Sequence, residues 1–135
     1  MRRYDDWPAR LGAFLARHQY EPFAYGRWDC CLFVAAAIEA MTGVDPAASV
    51  RGTYSSARGA RRYGSVVAAV EAVTASYGMP ETSVLKARRG DVALAAGITG
   101  GSLGLVALDG RDVLLVSSNG LWRVPVLSAI RAWSV

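Results

Sequence analysis

The chain holds one histidine, His18, and its two cysteines, Cys30 and Cys31, are neighbours. A Cys/His metal centre needs more ligands than this, and adjacent cysteines have little geometric freedom to bond to each other. Neither a structural metal nor a disulfide framework is expected, and no cofactor is assigned. Lysine is nearly missing too: Lys86 is the only one, and the net charge of +4 rests on arginine. No apolar run is long enough to span a bilayer, and the charged start, Met-Arg-Arg-Tyr-Asp-Asp-Trp-Pro, is not followed by the apolar stretch of an export signal, so no membrane span is expected. Repeats, linkers and low-complexity segments are absent as well. What remains is a chain of 135 residues, 53% hydrophobic and 19% charged, enough material for the core of one domain over residues 1–135.

The arginines have one local concentration, at Arg51, Arg58, Arg61 and Arg62. Guanidinium groups favour bidentate contacts with carboxylate or phosphate, so this is either an anion-facing surface or a solvated face. Tyr54 and Tyr63 lie nearby without forming a nucleic-acid motif, and no nucleic-acid partner is expected.

Apolar spacing divides the chain into a helical front and a strand-rich back. Asp6 as N-cap, Pro8 in the first turn and Leu11, Phe14 and Leu15 at helical spacing predict a first helix that Pro22 stops. A second begins at Cys30: Phe33, Val34, Ala37, Ile38 and Met41 form a continuous stripe, and Thr42-Gly43 provides the stop. An irregular stretch from Asp45-Pro46 leads to a short helical segment over 55–62, interrupted by Gly59. Ser65 can cap a third main helix carrying Val66, Val67, Val70 and Val73, which ends near Gly78-Met79-Pro80. The period then changes to two. Residues 91–95, 102–108, 113–116 and 121–126 read as strands, separated by Gly97, Gly100-Gly101, Asp109-Gly110 and Asn119-Gly120. Helices followed by an antiparallel meander predict an α+β domain with the Cys30 helix packed on the sheet.

Cys30 carries the chemical interest. It follows Asp29, an apparent N-cap, so its thiol stands at the positive end of a helix, where a thiolate is favoured. A nucleophilic cysteine also needs an imidazole brought alongside it, and His18 lies upstream in a different helix. Buried small cysteines are common, so core packing is the plainer reading of Cys30. Asp29 would cap the helix in either case, and Cys31 falls on the neighbouring helix face with no assigned role.

The run Asp29-Cys30-Cys31-Leu32-Phe33-Val34 resembles the nucleophile motif of NlpC-type cysteine peptidases, which opens the central helix of a papain-like fold. Arg89-Gly90-Asp91-Val92 is similar to the Gly-Asp strand start of that family. The strand that supplies the family's histidine corresponds here to Ser102-Leu103-Gly104-Leu105, with Ser102 at the base's position. The resemblance implies a papain-like NlpC-type fold, with Cys30 as a vestigial or working nucleophile. It also makes Ser102, Ser117, Ser118 and Asn119 the positions where a histidine and its polar orienter would sit. None of these can act as a general base near neutral pH, and Asn119 has a plainer role in the turn with Gly120.

A narrower resemblance covers nearly the whole chain. The blocks Phe23-Ala24-Tyr25-Gly26-Arg27-Trp28-Asp29-Cys30, Met41-Thr42-Gly43-Val44-Asp45-Pro46, Arg51-Gly52-Thr53-Tyr54, Gly59-Ala60, Arg89-Gly90-Asp91-Val92 and Arg131-Ala132-Trp133 look like a small domain family of unknown function. That family is encoded in tail gene clusters of phages, prophages and gene transfer agents. It implies a virion component of the distal tail or baseplate, made in the host cytoplasm, contacting other tail proteins in a symmetric assembly. Three functions stay open: a tail structural or adaptor protein on a degenerate peptidase fold, a working cysteine amidase or peptidase acting on peptidoglycan, and a binding module that holds a cell-wall peptide or tail protein. The four tryptophans, Trp7, Trp28, Trp122 and Trp133, could stack a sugar or anchor a partner, but bulky rings in a small domain more often serve core and rim.

Overall fold

The computed structural model describes residues 1–97 and 101–135; the turn residue Gly100 lies outside the described residues. Helix α1 spans Trp7–His18 and ends before Pro22, with Leu11 as its buried contact with the core. Asp6 does not cap it. At φ −99° and ψ 24° its side chain makes no capping bond, and its Oδ1 instead accepts from Arg10 Nε at 2.7 Å, one turn along.

Helix α2, Cys30–Thr42, is the structural centre. Leu32, Phe33, Val34, Ala35, Ala37, Ile38 and Met41 are all buried, as expected for a helix apolar on nearly every side. It ends at Gly43, whose φ of 80° suits a residue without Cβ and lets its N–H reach the Glu39 carbonyl. A short helix α3, Ala57–Ala60, capped by Ser56, runs into a 3-10 turn over Arg61–Tyr63. Helix α4, Val66–Ser76, is capped by Ser65 as expected.

Six antiparallel strands follow: β1 Glu81–Thr82, β2 Val92–Ala95, β3 Ser102–Val106, β4 Asp112–Ser117, β5 Gly120–Pro125 and β6 Ala129–Trp133. Their spatial order is β1-β6-β2-β3-β4-β5. The predicted meander is β2 to β5, while β6 returns across the domain to pair with β2 and in turn carries β1. In the β4–β5 hairpin the turn residues are Ser118 and Asn119, and the positive φ falls on Gly120 at 105°.

Alternation along β2 separates two layers. Val92 and Leu94 join Leu11, Phe33, Ile38, Met41, Val70 and Trp133 in the main core beneath the helices. Ala93 points the other way, to a smaller cluster with Val106 and Val113. Among the described residues no α-helix packs on that second face; 3-10 turns over Val84–Lys86 and Val126–Ser128 lie against it.

Candidate functional site

The site begins with a backbone hook. Ala24 and Trp28 exchange hydrogen bonds at 3.0 and 2.8 Å, and Gly26 between them takes φ +77°. A Cβ on Gly26 would fall 1.7 Å from the Tyr54 carbonyl oxygen, so both conformation and space demand glycine. The hook delivers Asp29 in extended conformation just ahead of α2. Its buried carboxylate accepts from the Leu32 N–H at 2.9 Å on one oxygen, and from the Gly26 N–H at 3.1 Å and the Tyr54 hydroxyl on the other. Asp29 is thus an N-cap and also a clamp that ties the 51–54 loop to the start of α2. Burial and the bond to Asp29 push the Tyr54 hydroxyl's pKa well above the phenol range.

Cys30 is the first residue of α2, and its Sγ lies 4.0 Å from Cys31 Sγ. The Cys31 thiol donates toward Cys30 and lowers its pKa, burial opposes this, and a backbone hydrogen bond from Leu103 lowers it further. Cys31 is pushed up by the same bond and by burial. Both thiols are free. They line a cleft of about 480 Å³ whose walls come from Val66, Val70 and Val73 of α4, Phe23 and Tyr25 of the hook, and β3. This volume lies in the range of small-ligand sites, about 300–1,000 Å³.

Ser102 opens β3, pairs with Ala95 and lines this cleft with Leu103. The tertiary structure therefore brings Cys30, Asp29 and Ser102 around one cavity, to which the strand contributes a hydroxyl, a group that cannot act as a general base near neutral pH. His18 is not among the lining residues. Its Nδ1 is 2.6 Å from Glu21 Oε2, and its ring stacks on Trp28 with centroids 4.7 Å apart. Ser118 and Asn119 are exposed in the β4–β5 turn, and Asn119 borders a second groove of about 570 Å³ between the end of α1 and β5. Ser117 Oγ donates to the Gly120 carbonyl at 2.6 Å and accepts from the Asn119 N–H at 3.2 Å, which commits it to the turn.

Other candidates separate in the same way. Trp28 and Trp133 are buried, whereas Trp122 is 62% exposed on the edge strand. Arg51 makes a two-pronged contact with Asp45 at 2.9 and 3.0 Å, and Arg62 donates to the Thr53 carbonyl, so two of the four clustered arginines are occupied within the chain. Among the described residues no group of three or more His, Cys, Asp or Glu side chains could hold a metal ion. Sequence reasoning did not foresee Tyr54 as the partner of Asp29 or α4 as a cleft wall. The block Arg51-Gly52-Thr53-Tyr54 was the available signal: its tyrosine bonds to Asp29 and packs against the cluster of Leu32, Ala35 and Ala47.

The central helix that begins at Cys30 is laid on an antiparallel sheet. The structure matches the NlpC/p60 domain of the peptidoglycan hydrolase SagA with a TM-score of 0.60 and 18% sequence identity, covering 95% of this chain and 98% of that one. At this identity the likeness is one of fold. By sequence, the chain belongs to the family described as Domain of unknown function (DUF6950), whose model matches residues 2–135. No curated protein matches it.

Proposed function

We propose that this chain is a non-hydrolytic NlpC/p60-type domain that serves as a structural or adaptor component of a phage-type tail, in the distal tail or baseplate region. The observation that carries the non-hydrolytic reading is the make-up of the cleft: a thiol at Cys30, a hydroxyl at Ser102, and a lining that does not include the chain's one histidine, which bonds to Glu21 and stacks on Trp28. Without a base to deprotonate the thiol and to activate water, a thioester intermediate neither forms quickly nor turns over. The tail context is supported by the order of the separated sequence blocks, and it implies synthesis in the host cytoplasm, incorporation into the virion and contacts with other tail proteins in a symmetric assembly.

Two measurements test this. Purified peptidoglycan incubated with fresh, reduced protein should release no peptide fragments. Cys30→Ala in the intact particle should leave assembly and infection unchanged, and a loss of infectivity at normal particle yield would overturn the reading. A working thiol hydrolase is the second reading, favoured by the lowered pKa of Cys30 and the Leu103 backbone donor beside it. It predicts fragment release that Cys30→Ala abolishes. Saturable binding of peptidoglycan fragments that survives Cys30→Ala would instead assign the cleft to recognition without cleavage.

A further inference from the structure

The sheet face opposite the helices carries a surface unrelated to the cleft. The 3-10 turns over Val84–Lys86 and Val126–Ser128 pack against each other, with Val126 and Ala87 turned onto the sheet. Their apices point outward: Leu85 is 82% and Leu127 72% exposed. Ile130, at the register irregularity where β6 pairs with β2, is 57% exposed beside them. Side chains this open contribute almost nothing to their own fold, and three aliphatic ones on neighbouring elements form the kind of patch that marks an interaction site.

The charges around the patch have one sign. Lys86 and Arg88 both follow Leu85 closely in the chain, and the Arg111 carbonyl accepts from the Val126 N–H at the base of the second turn. All three cations are exposed, and among the described residues none has an ion-pair partner. The nearby acids are already neutralised, Glu81 by Arg131 and Asp112 by Arg123. Both clefts described above lie elsewhere, and this surface presents protruding tips. A second copy would meet it with like charge. Aliphatic tips ringed by unpaired cations suit an interfacial contact with anionic lipid, where the tips enter the headgroup–acyl boundary and the cations meet phosphates.

We propose that this face docks peripherally on an anionic lipid surface through Leu85, Leu127 and Ile130, with Lys86, Arg88 and Arg111 setting its charge preference and the Cys30 cleft directed away from the bilayer. Among the described residues no helix is long and apolar enough to cross a membrane. The test is co-sedimentation of the full chain with vesicles of mixed phosphatidylglycerol and phosphatidylcholine, against phosphatidylcholine alone. Binding should require phosphatidylglycerol and weaken as salt is raised. The double variant Leu85→Asp/Leu127→Asp and the triple variant Lys86→Glu/Arg88→Glu/Arg111→Glu should each lose about tenfold or more in partitioning. All five substituted positions are solvent-facing, and an unchanged thermal midpoint confirms that each variant is folded. Absence of binding, equal binding to neutral vesicles, or undiminished binding by both variants would overturn the proposal; poly-glutamate capture without vesicle binding would do so in favour of an acidic protein.

Discussion

Asp29 and Asp91 are both carboxylates sealed from solvent, at 5% and 2% exposure, yet they are satisfied in different ways. Asp91 has a cation. Arg3 donates to it at 2.9 Å, the Arg88 and Val135 N–H groups donate at 2.8 and 3.1 Å, and Arg3 also reaches the Val135 and Arg89 carbonyls. One carboxylate therefore binds both ends of the chain to the start of β2. Asp29 has only neutral donors, two backbone N–H groups and the Tyr54 hydroxyl. It sits on the cleft, where the bond between the two thiols lowers Cys30 and raises Cys31, and where the Asp29 charge acts against the thiolate at both positions. A buried acid with a guanidinium is a structural clamp, whereas one with neutral donors also shapes the field of the cavity beside it.

The sharpest way to break this comparison is to remove the clamp. Asp91→Ala leaves the Arg3 guanidinium, 17% exposed, without its counter-charge, and should cost about 3 kcal/mol in a denaturant titration. A loss below about 1 kcal/mol would show that the termini are held by packing alone. Asp29→Ala should cost less, about 2 kcal/mol, since it removes a helix cap and orphans the Tyr54 hydroxyl without stranding a cation. Asp29→Asn should recover part of that, because the amide oxygen still accepts from Leu32. Tyr54→Phe removes a single donor from Asp29 and should cost about 1 kcal/mol; if it matches Asp29→Ala, the clamp on the 51–54 loop outweighs the cap.

The smallest effects on stability bear on the field in the cleft. Cys31→Ala removes the thiol donor that stabilises the Cys30 thiolate, so the Cys30 titration should move up toward its ordinary value and alkylation near neutral pH should slow. Asp29→Asn removes a negative charge and should move the curve the other way. Rates of iodoacetamide labelling against pH, with Cys30→Ala as the blank, decide both; a curve indifferent to Asp29 would make the two carboxylates electrically equivalent. Ser102→His would place an imidazole on the wall opposite the thiol, and faster labelling of Cys30 would show that this strand position faces it.

Much of this molecule can be read locally. The stripe from Phe33 to Met41, the Gly43 stop and the Asp29 and Ser65 caps each depend on residues within a few positions of one another, and each forms as expected. Asp6 failed as a cap because Arg10, one turn away, competes for its carboxylate. Strands β1 and β6 were not foreseen. Glu81–Thr82 is too short to show a period, and Ala129–Trp133 mixes both faces around an irregularity in its pairing with β2.

The amino-acid sequence by itself determined a helix-first α+β domain, a thiol at the amino end of its most apolar helix and the scarcity of any base to serve it. Those follow from periodicity, capping and residue counts, which act over one or two turns or need no geometry at all. Only the tertiary structure decided that Tyr54 reaches Asp29, that Ser102 lines the same cleft as Cys30 and Leu103 stands beside that thiol, that Glu21 and Trp28 occupy His18, and that β6 inserts between β1 and β2. Most of those contacts join residues far apart in the chain, and all are selected by packing of the whole core, a cooperative property that no local pattern carries.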